Sequence, residues 1–314
     1  MLDSKLAASF SISRDIVPKA RLDEFMKLAS QVSLEERESL YAAARYSYSG
    51  EGEIWDLGCA AGGSSYCLAA GLKDKNQKPD NTVKCFDLFE GYSAESFKGM
   101  FDRNLDDIDI FKIQTKPVQE QVEAVKMNIV MEINSYNVNL PVELAHIDVA
   151  KSLELWKAVF RRISNGILPN KTIWIFQDFE RVRLTWQIYS MVELLKFGEI
   201  IGGANYGTIY LKFNSVLDSL TRNKIINDDF TMHERTENVS NIFKMIRSNY
   251  MDCFPETYLK LDDLQNTAFA YCYYWQKEKE MARRILKGTS EGFFAYPGNS
   301  IYADEIMSLG PMAA

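Results

Sequence analysis

Glu53-Ile54-Trp55-Asp56-Leu57-Gly58-Cys59-Ala60-Ala61-Gly62-Gly63-Ser64-Ser65-Tyr66 decides how the chain is read. A short apolar run ends on Asp56, Gly58 follows, and then the pair Gly62 and Gly63. Ser64 opens an apolar, alanine-rich segment, Cys67-Leu68-Ala69-Ala70, closed by Gly71. This is the pattern of a strand, a tight glycine turn and a helix. Glycine takes positive φ without penalty and lets backbone approach a ligand. The first N–H groups of a helix have no partner inside it and face whatever sits there. The turn is therefore a candidate seat for a nucleotide-like cofactor. The plain alternative is an ordinary β-α turn whose glycines serve geometry alone.

A dinucleotide fold would place Gly-x-Gly-x-x-Gly here. The chain has Asp-x-Gly-x-x-x-Gly-Gly instead. A carboxylate at Asp56 repels a pyrophosphate and suits a cationic ligand, such as the ammonium and sulfonium of S-adenosylmethionine. A second strand, 82–87, ends on Asp87, 31 residues after Asp56. In nucleotide-binding α/β folds that carboxylate bonds ribose hydroxyls. Two further apolar runs end in polar groups, 142–148 with His146 and Asp148, and 172–178 with Gln177 and Asp178. Ligands of open α/β sheets bind outside the carboxyl ends of the strands, so these residues converge on one cleft.

Strands and helices alternate from 53 to 213, which predicts a doubly wound, mostly parallel sheet. Before it, 20–47 is helical, with Ser33-Leu34-Glu35-Glu36 as a capped second start. Residues 108–113 are expected to be a short third strand and 118–133 a helix. A helix is expected at 94–103 and another at 182–197, followed by strands at 199–203 and 208–213. From 215 the pattern is helical, with one long helix over 261–286 carrying Tyr271, Tyr273, Tyr274 and Trp275. The segments are thus 1–50 (N-terminal helices), 51–214 (cofactor-binding core) and 215–314 (C-terminal helical extension).

The 314 residues, 46% hydrophobic and 25% charged, suit a globular α/β protein. A net charge of −7 disfavours a nucleic-acid partner. No apolar run is long enough to span a membrane. The first residues lack a signal-peptide pattern, and the five cysteines have no paired spacing, so a cytoplasmic location is expected. Two histidines exclude a His-rich metal site.

Residues 53–213 resemble a class I S-adenosylmethionine-dependent methyltransferase, and more narrowly the macrocin and sugar O-methyltransferase group. The likeness is carried by Asp56-Leu57-Gly58 with Gly62-Gly63-Ser64, by Asp87-Leu88-Phe89-Glu90-Gly91, by His146-Ile147-Asp148-Val149-Ala150 and by Gln177-Asp178-Phe179. It implies a seven-stranded Rossmann-like fold, S-adenosylmethionine as cofactor and methyl transfer to a hydroxyl of a sugar, glycan or glycosylated small molecule. It implies cofactor contacts by Asp56, Gly58, Gly62, Gly63, Ser64, Asp87 and Phe89. Asp148, with His146 and Asp178, is the candidate base. Relatives hold a divalent metal with carboxylates of the last two motifs. Here Ala150 and Gln177 stand where two of those carboxylates would be, leaving Asp148, Gln177 and Asp178 as a candidate Mg²⁺ set. A homo-oligomer is a further expectation. The competing readings are a non-catalytic S-adenosylmethionine-binding scaffold and a nicotinamide-dependent oxidoreductase, the latter disfavoured by Asp56 and the glycine spacing.

Overall fold

The computed structural model describes residues 17–75, 81–90, 100–101, 105–138, 140–179, 183–204, 207–249, 261–287 and 306. Most of the helix expected at 94–103, Gly91 of the second motif, Cys253 and the chain end lie outside them.

Seven strands form one sheet: β1 Glu53–Leu57, β2 Val83–Asp87, β3 Val122–Lys126, β4 Val142–Ile147, β5 Ile173–Phe176, β6 Gly198–Ala204 and β7 Thr208–Phe213. Their order is β3-β2-β1-β4-β5-β7-β6. The first five are parallel, and β7 runs antiparallel to both β5 and β6. Strands β1, β4 and β5 are buried along their whole length, as central parallel strands covered on both faces must be.

One face packs on α1 Lys19–Phe25, α2 Leu34–Ala42 and α3 Gly63–Asp74, with Phe25, Tyr41 and Leu68 in that core. A π-helical turn, Ala43–Ser47, continues α2. Ser33 and Glu36 close a capping box on α2, as the sequence indicates. The other face packs on α6 Leu153–Ile163, α7 Thr185–Leu194, α8 Ser219–Asn227 and α9 Met232–Asn249. Trp156, Phe160, Tyr189, Ile242 and Phe243 share that core with Trp174 and Phe176 of the sheet. Leu264, Ala268 and Cys272 of α10 Leu261–Trp275 belong to it as well. Helices α8 and α9 and one side of α10 therefore close the sheet's second face, while Ala270 and Tyr271 of α10 join Ala282, Leu286 and Ile306 in a small cluster of their own.

Three expectations change. Residues 108–113 are not a strand: they lie in helix α4 Asp107–Thr115, which follows Asp106 and has Asp107 and Asp109 in its first turn. The third strand is β3, inside the segment read as helix, between a 3₁₀ stretch Lys116–Gln121 and the short α5 Ile129–Glu132. Val118, Val122, Val125 and Ile129 have helical spacing by coincidence. An edge strand is only half covered, and pairing with β2 overrides the local pattern. The long C-terminal helix is two, α10 and α11 Lys279–Leu286, broken where Lys277 takes φ +66°. Helix α3 passes through Gly71 and runs on to Asp74.

Gly71 instead marks where α3 meets α2. A Cβ there would lie 2.5 Å from the Tyr41 carbonyl oxygen and 2.9 Å from Ala44 Cβ. Alanine would gain ~1 kcal/mol of helix propensity, but overpacking against fixed backbone costs ~1–3 kcal/mol. Gly71→Ala is expected to lower the urea unfolding midpoint despite its better propensity. An unchanged or raised midpoint would show that the α2–α3 contact yields freely.

Candidate functional site

The register of the sheet sorts the strand-end acids into two rows. Cys85, Asp56, His146, Ile175 and Tyr210 are neighbours across β2, β1, β4, β5 and β7, on the face covered by α2 and α3. Two residues further on, the same face of the sheet meets its carboxyl edge, with Asp87, Gly58, Asp148, Gln177 and Thr208 side by side. Backbone bonds Gly58 N–H to Phe86 O, Asp148 N–H to Leu57 O and Gln177 N–H to Ile147 O continue the ladder to that edge. Asp56 is thus one row deeper than Asp87 and Asp148.

That depth decides its role. Asp56 has no exposed surface. Its Oδ2 accepts from Ser64 Oγ at 2.7 Å and Ser65 Oγ at 2.5 Å, and its Oδ1 lies 2.7 Å from His146 Nδ1. The carboxylate sits beneath the glycine turn and ties the first turn of α3 to β4. A direct bond from Asp56 to a ligand ammonium has no room; any influence passes through the turn. His146 is equally buried. Burial pulls an imidazolium down, but the bond and charge of Asp56 outweigh it and hold His146 above its ordinary value. It does not border the cleft, so it is not placed to take a proton from a substrate.

The buried chain continues outward. His146 Nε2 is 3.5 Å from Gln177 Oε1, and Gln177 Nε2 donates to Glu36 Oε1 at 2.8 Å. Thr208 Oγ1 lies 2.5 Å from Glu36 Oε1 and 2.8 Å from Gln177 Oε1, its one proton serving one of them at a time. Glu36 Oε2 accepts the Ser33 N–H of the capping box. One glutamate therefore caps α2 and docks that cap on the strand ends.

Over the edge row lies a cleft of about 280 Å³. Gly58, Gly63, Ser64, Asp87, Asp148, Gln177 and Asp178 border it, together with Ala60, Glu90 and Lys151. Residues 29–32 form its outer wall. Gln114 clips that wall to the turn, bonding Ala29 through N–H and C=O and donating to Ala61 O at 2.9 Å. Arg37 donates to the carbonyls of Val32, Phe25 and Ser30.

At one end of the cleft, Asp87 accepts the Ala60 N–H on Oδ2 and the Phe89 N–H on Oδ1, both at 2.9 Å. A carboxylate has about four lone-pair sites, so capacity remains for a ligand's hydroxyls. Ala60, Phe89 and Asp178 all have positive φ, at +44°, +50° and +59°. Such backbone is costly for non-glycine residues and collects at functional sites. The glycines divide their work. Gly58, at φ +91°, lies where a Cβ would be strained and would come within 3.0–3.2 Å of the Asp148–Val149 backbone. Gly62 is filled by Phe111 and Gly63 by Ser30. Phe89 is buried edge-on against Phe111 at 5.3 Å, so it braces the turn from behind.

At the other end, Lys151 Nζ is 2.5 Å from Asp148 Oδ1 and also bonds Asp178 Oδ2. The Asp148 side chain is 22% exposed, on the cleft floor. Burial, with Asp178 nearby, pushes its carboxyl up to about 6 against the pull of Lys151. The Mg²⁺ expectation does not fit this arrangement. The position between the two carboxylates holds an ammonium, and the Gln177 amide oxygen is taken up by Thr208 and His146. Among the described residues no three His, Cys, Asp or Glu side chains cluster to hold a metal.

Sequence reasoning missed Lys151, Ser65, Gln114 and the 29–32 wall. Ser65 is adjacent to Ser64 in the turn, and Lys151 follows Asp148 by three residues, so both were within sight of the motifs. Gln114 and the wall carry no local signal, because only tertiary packing brings them to the turn.

No family model matches the chain, and no curated protein matches it. Parts of it are similar to solved structures. The apo structure of CalS11, a TDP-rhamnose 3'-O-methyltransferase of calicheamicin biosynthesis, is 15% identical over 67% of this chain and 92% of that one, with a TM-score of 0.43. MnmC2 from Aquifex aeolicus is 11% identical over 67% and 72%, with a TM-score of 0.34. A cyclopropane-fatty-acyl-phospholipid synthase-like protein from Lactobacillus casei is 10% identical over 79% and 94%, with a TM-score of 0.33. Likenesses this remote assign no function, which is argued from the cleft itself.

Removing one partner of a buried pair costs ~3–5 kcal/mol. His146→Gln leaves Asp56 with two serine hydroxyls, so a loss at the low end of that range is expected. Because His146 is raised in the folded state, its contribution is full below the ordinary ~6.5 and is lost as pH rises through the folded value. Urea midpoints of wild type and variant should converge as pH is raised from about 6. A constant gap would mean that the pair carries no titrating charge.

Proposed function

We propose that the chain is an S-adenosylmethionine-dependent methyltransferase acting on oxygen. Its acceptor is a hydroxyl of a sugar, glycan or glycosylated small molecule. One observation carries this: a single cleft joins the glycine turn and Asp87 to a carboxylate, Asp148, whose pKa of about 6 suits proton removal near neutrality. The order of the four strand-end motifs supports the choice of cofactor and the sugar acceptor.

The residues present fit the cofactor. Asp87 would accept from the ribose hydroxyls with the lone pairs that Ala60 and Phe89 leave, and the backbone around Gly58 and Ala60 would border the amino-acid part. When bound, S-adenosylmethionine supplies a methyl group on a good leaving group. The protein's part is positioning and proton removal. Asp148 Oδ1 is held by Lys151, which fixes the carboxylate and leaves Oδ2 to receive the acceptor's proton. Asp178 anchors Lys151 from the other side. The wall at 29–32, clipped by Gln114, would border the bound reactants on the outer side.

Calorimetry should show binding of S-adenosylmethionine and S-adenosylhomocysteine but not of NAD. Asp87→Ala should weaken that binding ~10–100-fold, the worth of hydrogen bonds to a charged group. In a methyl-release assay over sugars and glycosides, Asp148→Asn should lose ~10²–10⁴ in turnover while keeping cofactor affinity. Wild-type turnover should rise with pH through about 6 and then level off, since the base works only when ionised. Full turnover in Asp148→Asn would remove it as the base. Cofactor binding without turnover on any acceptor would favour the scaffold reading.

A further inference from the structure

We infer that Lys151 is the resident cation of this cleft. Its ammonium occupies the place between Asp148 and Asp178 that a divalent metal would need, so the protein works without one.

The geometry is specific. Nζ bonds one oxygen of each carboxylate, from the ends of β4 and β5. A divalent ion bridging the same oxygens would have to displace the ammonium, since two cations cannot share that contact distance. The third donor of a Mg²⁺ set is also committed. Gln177 is 7% exposed, its oxygen within reach of Thr208 and His146 and its amide bonded to Glu36. Turning that oxygen toward the cleft would give up the Gln177 bonds to Glu36 and Thr208 and leave those two buried side chains with only each other and the Ser33 N–H.

The loop is built to hold the lysine there. Ala150 O accepts from both Trp186 Nε1 at 3.2 Å and Gln187 Nε2 at 3.3 Å. Ser152 caps α6 through the Leu155 N–H. Lys151 lies between these anchors, with its own N–H on Val149 O at 2.6 Å. Asp178 meets it from a left-handed backbone conformation, φ +59°. An ammonium has three donors and these carboxylates use two, so one N–H is left for an oxygen in the cleft. On the methyl-transfer reading, that oxygen is the acceptor hydroxyl. The exclusion of metal does not depend on that reading.

Mn²⁺ is the probe, titrated alone into metal-stripped protein and followed by electron paramagnetic resonance and calorimetry. Lys151→Ala removes the ammonium from between the two carboxylates and should bind Mn²⁺ at least tenfold more tightly than wild type, and adding Asp148→Asn should abolish the gain. Lys151→Arg keeps a cation and should resemble wild type. Equal or weaker Mn²⁺ binding by Lys151→Ala would overturn the inference. Wild type covers the case in which the alanine variant does not fold. Mn²⁺ binding tighter than ~100 μM, at the strong edge of weak oxygen sites, and lost in Asp148→Asn, would overturn it; weaker or no binding supports it. S-adenosylmethionine calorimetry on the same samples is a separate readout, so failure of the methyltransferase reading leaves the Mn²⁺ result intact.

Discussion

The buried pairing of Asp56 with His146 is the constraint on which the site depends. Two polar groups without solvent contact are tolerable only where every lone pair has a partner. Here the partners come from three elements: the carboxylate from β1, the imidazole from β4, and Ser64 and Ser65 from the first turn of α3. A carboxylate under the start of α3 also complements the helix dipole. The pair thus sets where α3 begins relative to the sheet, and that fixes the glycine turn above it. Gly58 can then turn away at φ +91° with the Asp148–Val149 backbone against it.

From His146 the same polar chain runs through Gln177 to Glu36, and so reaches the wall of the cleft. Ordinary capping would spend Glu36 on Ser33 alone. Using its second oxygen on Gln177 and Thr208 couples the start of α2 to the ends of β5 and β7. Arg37, next in α2, holds the carbonyls of the preceding segment. The strand ends are thus linked to residues 29–32 through Glu36, its cap partner Ser33 and the neighbouring Arg37. The wall is tied at both ends, at Ala29 by Gln114 and at Val32 by Arg37, two half-buried side chains.

The sheet and the cleft were legible because strand and turn signals are local. The acids at the strand ends pointed correctly to the carboxyl edge. Their depth was not legible. Asp56 and Asp87 both close apolar runs, yet β1 pairs with β2 so that Asp56 faces Cys85 and Gly58 stands beside Asp87. Register is a property of two strands, and a one-row offset moved Asp56 from ligand contact to foundation. The same limit hid β3, an edge strand with neither face fully covered and a helical spacing of valines. Phe89 was read as a cofactor residue from its motif, but it packs against Phe111 while its backbone N–H serves Asp87.

The charge at the far end of the cleft links the two roles considered for Asp148. A carboxylate bound to a divalent ion is held ionised and low, and makes a poor proton acceptor. A single ammonium shared with Asp178 pulls far less. Burial and the neighbouring carboxylate then win, and Asp148 stands at about 6. The two roles exclude one another at one oxygen pair. On the proposed reading, Lys151 between the acids leaves Asp148 to serve as a base and not as a metal ligand, and Ala150 and Gln177 are consistent with that. Ala150 gives its carbonyl to Trp186 and Gln187, and Gln177 joins the buried chain from His146 to Glu36. Neither position needs a carboxylate once the cation is covalently part of the protein.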